Sequence, residues 1–245
     1  MTTRLSLEIR RQPDDRTCGP TCLHAVYRYH GDDVDLDTVI DEVPALDDGG
    51  TLAVYLATHA LRRGYGATIH TFNLQVFDPT WFAEGVDLRE RLLARAAAKD
   101  DPKLRRECEA LVEFLDLGGR IVLDDFTGAE IRRHLRRNRP ILTGLSATWL
   151  YRTARERPED EEADDVHGEP AGHFVVVCGY DAAAGLVRVA DPYLDHPFDA
   201  EHVYDVDLDR LLCAILLGVL TFDGNLLILD PPRRGKRKGA RGRTS

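Results

Sequence analysis

The stretch RQPDDRTCGPTCLHAVYRYHG, residues 11–31, runs from a polar loop into an apolar helical pattern, with a cysteine at the junction. Thr17 can cap a helix that begins near Cys18. Pro20 falls in the first turn, where its missing N–H costs nothing, and Gly31 supplies the stop. Leu23, Val26 and Tyr27 recur at the helical interval and form the stripe that must be buried. The first turn of a helix carries unpaired N–H groups and the positive end of the backbone dipole, and both favour a thiolate. A cysteine here therefore fits a nucleophile. It also fits a packing residue, a metal ligand or half of a disulfide, so the rest of the chain has to decide.

Outward from that helix, LSLEIRR (5–11) alternates and predicts a short strand. A second helix is expected at about 35–43, a third at 50–66, and a strand at 67–73. Residues 84–116 are rich in Arg, Glu, Ala and Leu with a break at 100–102, which predicts an inserted helical hairpin. TGAEIRRHLRRNRP (127–140) has a helix start and a proline stop, and ILTGLSA (141–147) predicts a strand. Residues 151–172 are polar and acidic throughout and read as a mobile loop or lid. HFVVVCGYD (173–181) is a continuous apolar run suited to a sheet centre. GLVRVADPY (185–193) follows across a turn, as in a hairpin. A helix is expected at 205–218 and a closing strand or hairpin at 219–230. Helices come first and antiparallel strands later, an α+β order. The expected organisation is one domain over 1–230 and a disordered basic tail over 231–245.

Composition narrows the function classes. The 245-residue chain has a net charge of −10, which argues against nucleic acid as the main partner. RRGKRKGARGR (233–243) is the exception, and its seven positive charges leave the remainder near −17. Tail apart, nucleic acid is not expected. The first residues lack an apolar core of signal-peptide length, and the longest apolar run, LLCAILLGVL (211–220), is too short to span a bilayer. Five cysteines, an odd number without framework spacing, do not form a disulfide scaffold. The expected compartment is the cytoplasm, with reduced thiols.

A thiolate nucleophile needs a partner that protonates the leaving group, usually histidine. Among nine histidines, His173 opens the most apolar strand and would be held rigidly. Asp191 ends the next strand, where an antiparallel pairing can set it beside His173 as orienter. Gln12 lies six residues before Cys18, and its amide together with the Cys18 N–H can form an oxyanion hole. Cys22, one turn after Cys18 on the same face, suits packing beneath it. A zinc site from Cys18 and Cys22 with His24 or His173 lacks a strong spacing, so no metal and no cofactor is expected. Cys178 and Cys213 are expected to be buried, Cys108 exposed, and His167 a solvated loop residue.

The pieces QPDDRTCGPTCL, GHFVVVCGYD and VRVADPY, in that order, resemble the papain-like cysteine peptidases. They are most similar to the group containing the double-glycine leader peptidases of bacteriocin exporters and their stand-alone bacterial relatives. The likeness covers residues 5–31 and 127–195. It implies a papain-like fold, with an N-terminal catalytic helix packed on an antiparallel sheet. It also implies Cys18 as nucleophile, His173 as base and acid, Asp191 as orienter and Gln12 in the oxyanion hole. The substrate-binding residues are left open, with Gly19 and Gly172 as candidates. The chain departs from the pattern at Thr17, where an acidic residue often precedes the cysteine, and in the segments 84–116 and 151–172. The expected activity is thiol-dependent cleavage of a peptide or amide bond in a peptide-like substrate. The same site with an amine acceptor would be an acyltransferase or ligase, and a silent peptide-binding module keeps only the fold.

Overall fold

The structure is a computed structural model and describes residues 2–46, 49–198, 201–221 and 224–232. All but the first two residues of the expected tail (231–245) lie outside the described residues. Eight strands form one sheet: β1 (Thr2–Arg4), β2 (Gly66–Thr71), β3 (Arg120–Val122), β4 (Ile141–Ser146), β5 (Gly172–Asp181), β6 (Leu186–Ala190), β7 (Val203–Asp207) and β8 (Asn225–Asp230). The order is β3-β2-β8-β4-β5-β6-β7, with β1 paired to the far end of β5. Every pairing is antiparallel except β2 with β3.

Eight helices accompany the sheet among the described residues: α1 (Cys18–Tyr29), α2 (Leu36–Glu42), α3 (Ala53–Arg62), α4 (Leu88–Ala98), α5 (Pro102–Asp116), α6 (Gly128–Leu135), α7 (Ala147–Tyr151) and α8 (Leu208–Leu217). None is long and apolar enough to cross a membrane. The first helix starts at Cys18 and buries the expected stripe, with Leu23, Val26 and Tyr27 at most 1% exposed. Burial on this scale contributes roughly 1.5–3 kcal/mol per large apolar side chain.

Helix α1 lies against β5 because Gly19 lets it approach. A Cβ at Gly19 would come 2.6 Å from Thr51 Cγ2 and 3.3 Å from Phe174 Cδ2. Strand side chains alternate, so Phe174 faces α1 while His173 points to the opposite face. Val177 pairs with Val189, and Val189 with Tyr204. His173, Asp191 and Tyr204 are therefore carried on one face of the sheet. At the other end of β5 the backbone of β1 crowds Gly179, where a Cβ would sit 2.8 Å from Thr3 O, next to a register shift between Val177 and Gly179.

Several expectations are corrected. The N-terminal strand is Thr2–Arg4 rather than 5–11. Beyond it one more bond, Leu5 N–H to Cys178 O, continues the pairing before the chain leaves β5. Residues 203–207 are strand β7, not the start of a helix: Tyr204 and Val206 alternate inward, and α8 begins only at Leu208. Thr17 does not cap α1 with its side chain, because its hydroxyl donates to Asp14 O at 3.2 Å. Cys108 is buried and Cys213 exposed, the reverse of expectation. Cys108 shares the α5 stripe with Leu104 and Leu111. Cys213 lies off the α8 stripe of Leu211, Ala214 and Ile215.

Candidate active site

The polar loop ahead of α1 is knotted around Asp14. Its carbonyl accepts from Gln12 Nε2 at 2.8 Å and from Thr17 Oγ1, and its carboxylate accepts from Arg16 N–H at 2.9 Å. The Gln12 N–H donates to Pro192 O at 3.0 Å, which ties this segment to the residue after Asp191. No side chain caps α1, and Pro20 has no N–H to satisfy, so the first turn keeps its positive end at the lip where β5 begins.

The other side of that lip is equally fixed. Ala147 N–H donates to Ala171 O at 2.9 Å, and Ala171 N–H donates to Thr148 Oγ1 at 2.9 Å. These bonds pin the chain just before His173 to the start of α7. The imidazole Nε2 of His173 meets Asp191 Oδ1 at 2.8 Å. Cys18 lies close enough to the ring to raise its pKa, and with Nε2 engaged, Nδ1 is the nitrogen left to serve it. Cys18 and His173 are each 7% exposed and Asp191 is fully buried, so the pair lies just below the surface and the acid beneath it.

Asp191 is over-determined. Tyr151 and Tyr204 hydroxyls both donate to Oδ2 at 2.7 Å, and the Tyr193 N–H donates to Oδ1 at 3.0 Å. Its backbone pairs with His202, N–H to carbonyl at 2.8 Å, and its own carbonyl meets His202 Nδ1 at 2.8 Å. Burial works against the charged carboxylate, but the charge and hydrogen bond of His173, with the tyrosine hydroxyls, outweigh it and hold the carboxyl below its ordinary range. Burial likewise works against a charged His173. The Asp191 charge and hydrogen bond, joined by Cys18, overcome it and raise the ring to about 10. Both shifts describe one charged pair, an anion beneath an imidazolium.

Cys22 sits below and has no such help. Burial, then the charges of Cys18 and Asp191, push its thiol well above the ordinary range, and it donates to Phe174 O at 3.2 Å. Cys18, Cys22, His24 and His173 do not gather at metal-ligand distances among the described residues. Gln12 is buried, with one amide hydrogen on Asp14 O; an amide nitrogen carries two. Gly19 is buried against Thr51, Leu56 and Phe174, so packing accounts for it. Gly172 is exposed at the start of β5, paired with Ser146.

The acidic segment after α7 folds back on itself. Glu156 and Glu169 exchange two backbone bonds, and Asp164 holds the N–H groups of Val166 and His167. Glu156 lies close enough to feel the His173 charge. Burial and the nearby Glu161 and Asp15 raise its carboxyl nonetheless. Asp195, Asp15 and Glu156 lie near Tyr193 together with Arg11, which pairs with Asp195 at 3.0 Å. A cavity of about 380 Å³ is lined by Ser146, Trp149, Arg152, Pro170, Leu217 and Leu220 among others. It contains none of the four residues described above.

Tyr151, Tyr193 and Tyr204 escaped the sequence reading. Only Tyr204 had a signal, the alternation of VYDVD (203–207), and the helix expected at 205–218 overlaps that stretch and obscures it. Tyr151 sits where the chain turned acidic.

Residues 115–210 match the model of the Peptidase_C39 like family, a span that includes His173 and Asp191 and stops short of Cys18 and Gln12. No curated protein matches. Among solved structures, a candidate C39-like peptidase from Bacillus anthracis aligns with a TM-score of 0.52 at 14% identity, covering 94% of this chain and 98% of that one. Xylellain, a cysteine protease from Xylella fastidiosa, aligns with 0.47 at 13%, covering 95% and 86%. A double glycine motif protease from an AMS/PCAT transporter aligns with 0.45 at 13%, covering 94% of each. The first alignment shows the fold: this chain shares the α+β architecture of that C39-like structure, a cysteine-bearing helix against a largely antiparallel sheet.

Proposed function

We propose that the chain is a cysteine peptidase that cleaves a peptide or amide bond through an acyl-enzyme on Cys18. The observation that carries this reading is the relay from Cys18 to the His173 ring and from Nε2 to the buried Asp191 at 2.8 Å. A packing cysteine needs no such relay, and Cys22 one turn away has none.

In the proposed reaction, Cys18 attacks the carbonyl carbon as a thiolate, its proton held on His173, and the carbonyl oxygen takes the negative charge. The Cys18 N–H and the second hydrogen of the Gln12 amide stabilise that oxygen, an interaction worth ~3 kcal/mol when one such donor is removed. His173, protonated at neutral pH by its pairing with Asp191, gives its proton to the departing nitrogen as the C–N bond breaks. The ring, now neutral, takes a proton from water, and the hydroxide carbon–oxygen bond forms as the thioester breaks. Asp191 keeps the ring orientation throughout and does not itself take the proton.

Asp15 and Glu156, both near Tyr193, favour substrates with basic side chains flanking the bond. Mass spectrometry of adducts on Cys18 after incubation with a peptide library tests the reading. An adduct on Cys18 with the mass of a peptide's acyl fragment, its amine part lost, that is absent from Cys18→Ala supports it. A library that is cleaved equally by Cys18→Ala overturns it.

A further inference from the structure

The geometry points to a second site unrelated to the cysteine chemistry: we propose that His70, Glu130 and His134 bind a zinc ion that clasps α6 to β2. One ligand atom from each residue lies within 4.8 Å of the other two. Glu130 and His134 are four apart on α6, so they share a helix face, and His70 meets them from the strand.

Neither histidine is explained as a core residue. Buried polar side chains normally have their hydrogen bonds met. His70 is 7% exposed, and its side chain forms no hydrogen bond among the described residues. Its ring stands edge-on to His134 with centroids 5.4 Å apart. His134 is 4% exposed, and its Nδ1 is buried without a partner. Its one side-chain bond is from Nε2 to Glu130 Oε1, at 2.9 Å. Two ligand atoms on a tetrahedral zinc with bonds of 2.0–2.1 Å stand about 3.3 Å apart. The ion thus takes the place of the proton between Nε2 and Oε1 with little movement, and His70 swings in by roughly 1 Å. Two imidazoles and one carboxylate suit zinc rather than magnesium or calcium, which take oxygen ligands. Arg133 also pairs with Glu130 Oε1, and it is half exposed, so it can yield the oxygen to the metal.

The site is well separated from the candidate active site. Register places His70 in one row with Leu226, Thr143 and Val175. His173 is two residues from Val175 along β5, and three strand spacings separate β5 from β2. The two sites are therefore roughly 15 Å apart. The ion bridges residues sixty positions apart in the chain, next to an eight-residue helix without a side-chain cap, which suits a structural role.

The test uses the full chain, stripped with chelator and dialysed against zinc, with metal measured by mass spectrometry and cobalt substitution read by visible absorption. The expected result is one zinc per chain, a raised melting temperature, and an intense tetrahedral cobalt spectrum. Glu130→Gln and His70→Gln, each with wild-type circular dichroism, should lower affinity at least tenfold. Glu130→Gln is the milder change should His70→Gln not fold. Less than a fifth of an equivalent in the wild-type chain overturns the proposal. So does zinc binding that both variants retain, or binding that disappears in Cys18→Ala, which would move the metal to the nucleophile.

Discussion

Replacing Asp191 with Asn keeps the shape of the buried side chain and removes its charge, which isolates what holds the proton on His173. The ring titrates near 10 beside Asp191 and Cys18, against an ordinary 6.5. That difference corresponds to roughly 5 kcal/mol of preference for the imidazolium. Without the aspartate charge, burial is the largest remaining influence, and it lowers the ring. His173 in Asp191→Asn should therefore titrate at or below 6.5. At pH 8 its protonated fraction should drop from about 99% to about 3% or less. The assay is carbon-13 NMR of histidine-labelled protein between pH 5 and 11, with His173→Gln identifying the resonance.

Stability supplies a second readout with a definite sign. The raised ring contributes stability that is complete below 6.5 and is lost as pH climbs toward 10. The lowered Asp191 carboxyl contributes stability that is present above the ordinary carboxylate range and is lost in acid. Between pH 6.5 and 10 the native chain holds a proton that the unfolded chain has released. Wild-type stability to urea should therefore fall by up to ~1.4 kcal/mol per pH unit, and the variant should lack that slope. Asparagine also offers one oxygen to four donors, the ring, two tyrosine hydroxyls and the Tyr193 N–H. A general loss of roughly 1–3 kcal/mol should accompany the change. A folded Asp191→Asn whose His173 still titrates within one unit of wild type would refute the account of the ring.

Gln12→Ala should lower kcat by 10²–10³ with KM nearly unchanged, as expected for a donor felt only by the developing oxyanion; equal losses in both would assign Gln12 to the fold. Iodoacetamide at neutral pH should label Cys18 and the exposed Cys213 of wild type, and Cys213 alone in Cys18→Ala, as read by peptide mapping; an unmodified Cys18 peptide in wild type contradicts the nucleophile. Tyr151→Phe and Tyr204→Phe should each cost roughly 1.5–3 kcal/mol in urea unfolding. The double variant should depart from additivity because both hydroxyls share Oδ2. Gly19→Ala forces a methyl 2.6 Å from Thr51 Cγ2 and should destabilise by roughly 1–3 kcal/mol; a neutral result means α1 can shift on the sheet.

The sequence carried the site further than it carried the sheet. Cys18, His173 and Asp191 stand at element junctions, and composition marks junctions well: a proline in a first turn, a glycine before an apolar run, an aspartate before a proline. The register of β5 against β6 then decides which side chains share a face, and the uniformly apolar β5 run does not state that register, which shifts between Val177 and Gly179. What stayed illegible depended on long-range geometry. The aspartate's tyrosines come from α7 and β7, forty residues upstream and thirteen downstream, and neither proximity leaves a local trace. The run LLCAILLGVL is apolar on every side, so no contrast shows that Cys213 lies on the outer face. Cys108 was legible in principle, since Leu104, Cys108 and Leu111 repeat at helical spacing, but the surrounding charge obscured it. His70 and His134 could not be paired from sequence at all, because one lies on a strand and the other on a helix sixty-four positions later.

The distance in sequence between Cys18 and His173 also has a consequence for biosynthesis. The nucleophile leaves the ribosome 155 residues before its histidine and 173 before its aspartate. At 5–20 residues per second, translation separates the thiol from its complete relay by roughly 10–35 seconds. Helix α1 can form early from local contacts, but the β5–β6 hairpin that carries His173 and leads into Asp191 is synthesised long after it. On the proposed reading the nascent chain carries an unarmed cysteine until that hairpin folds against α1.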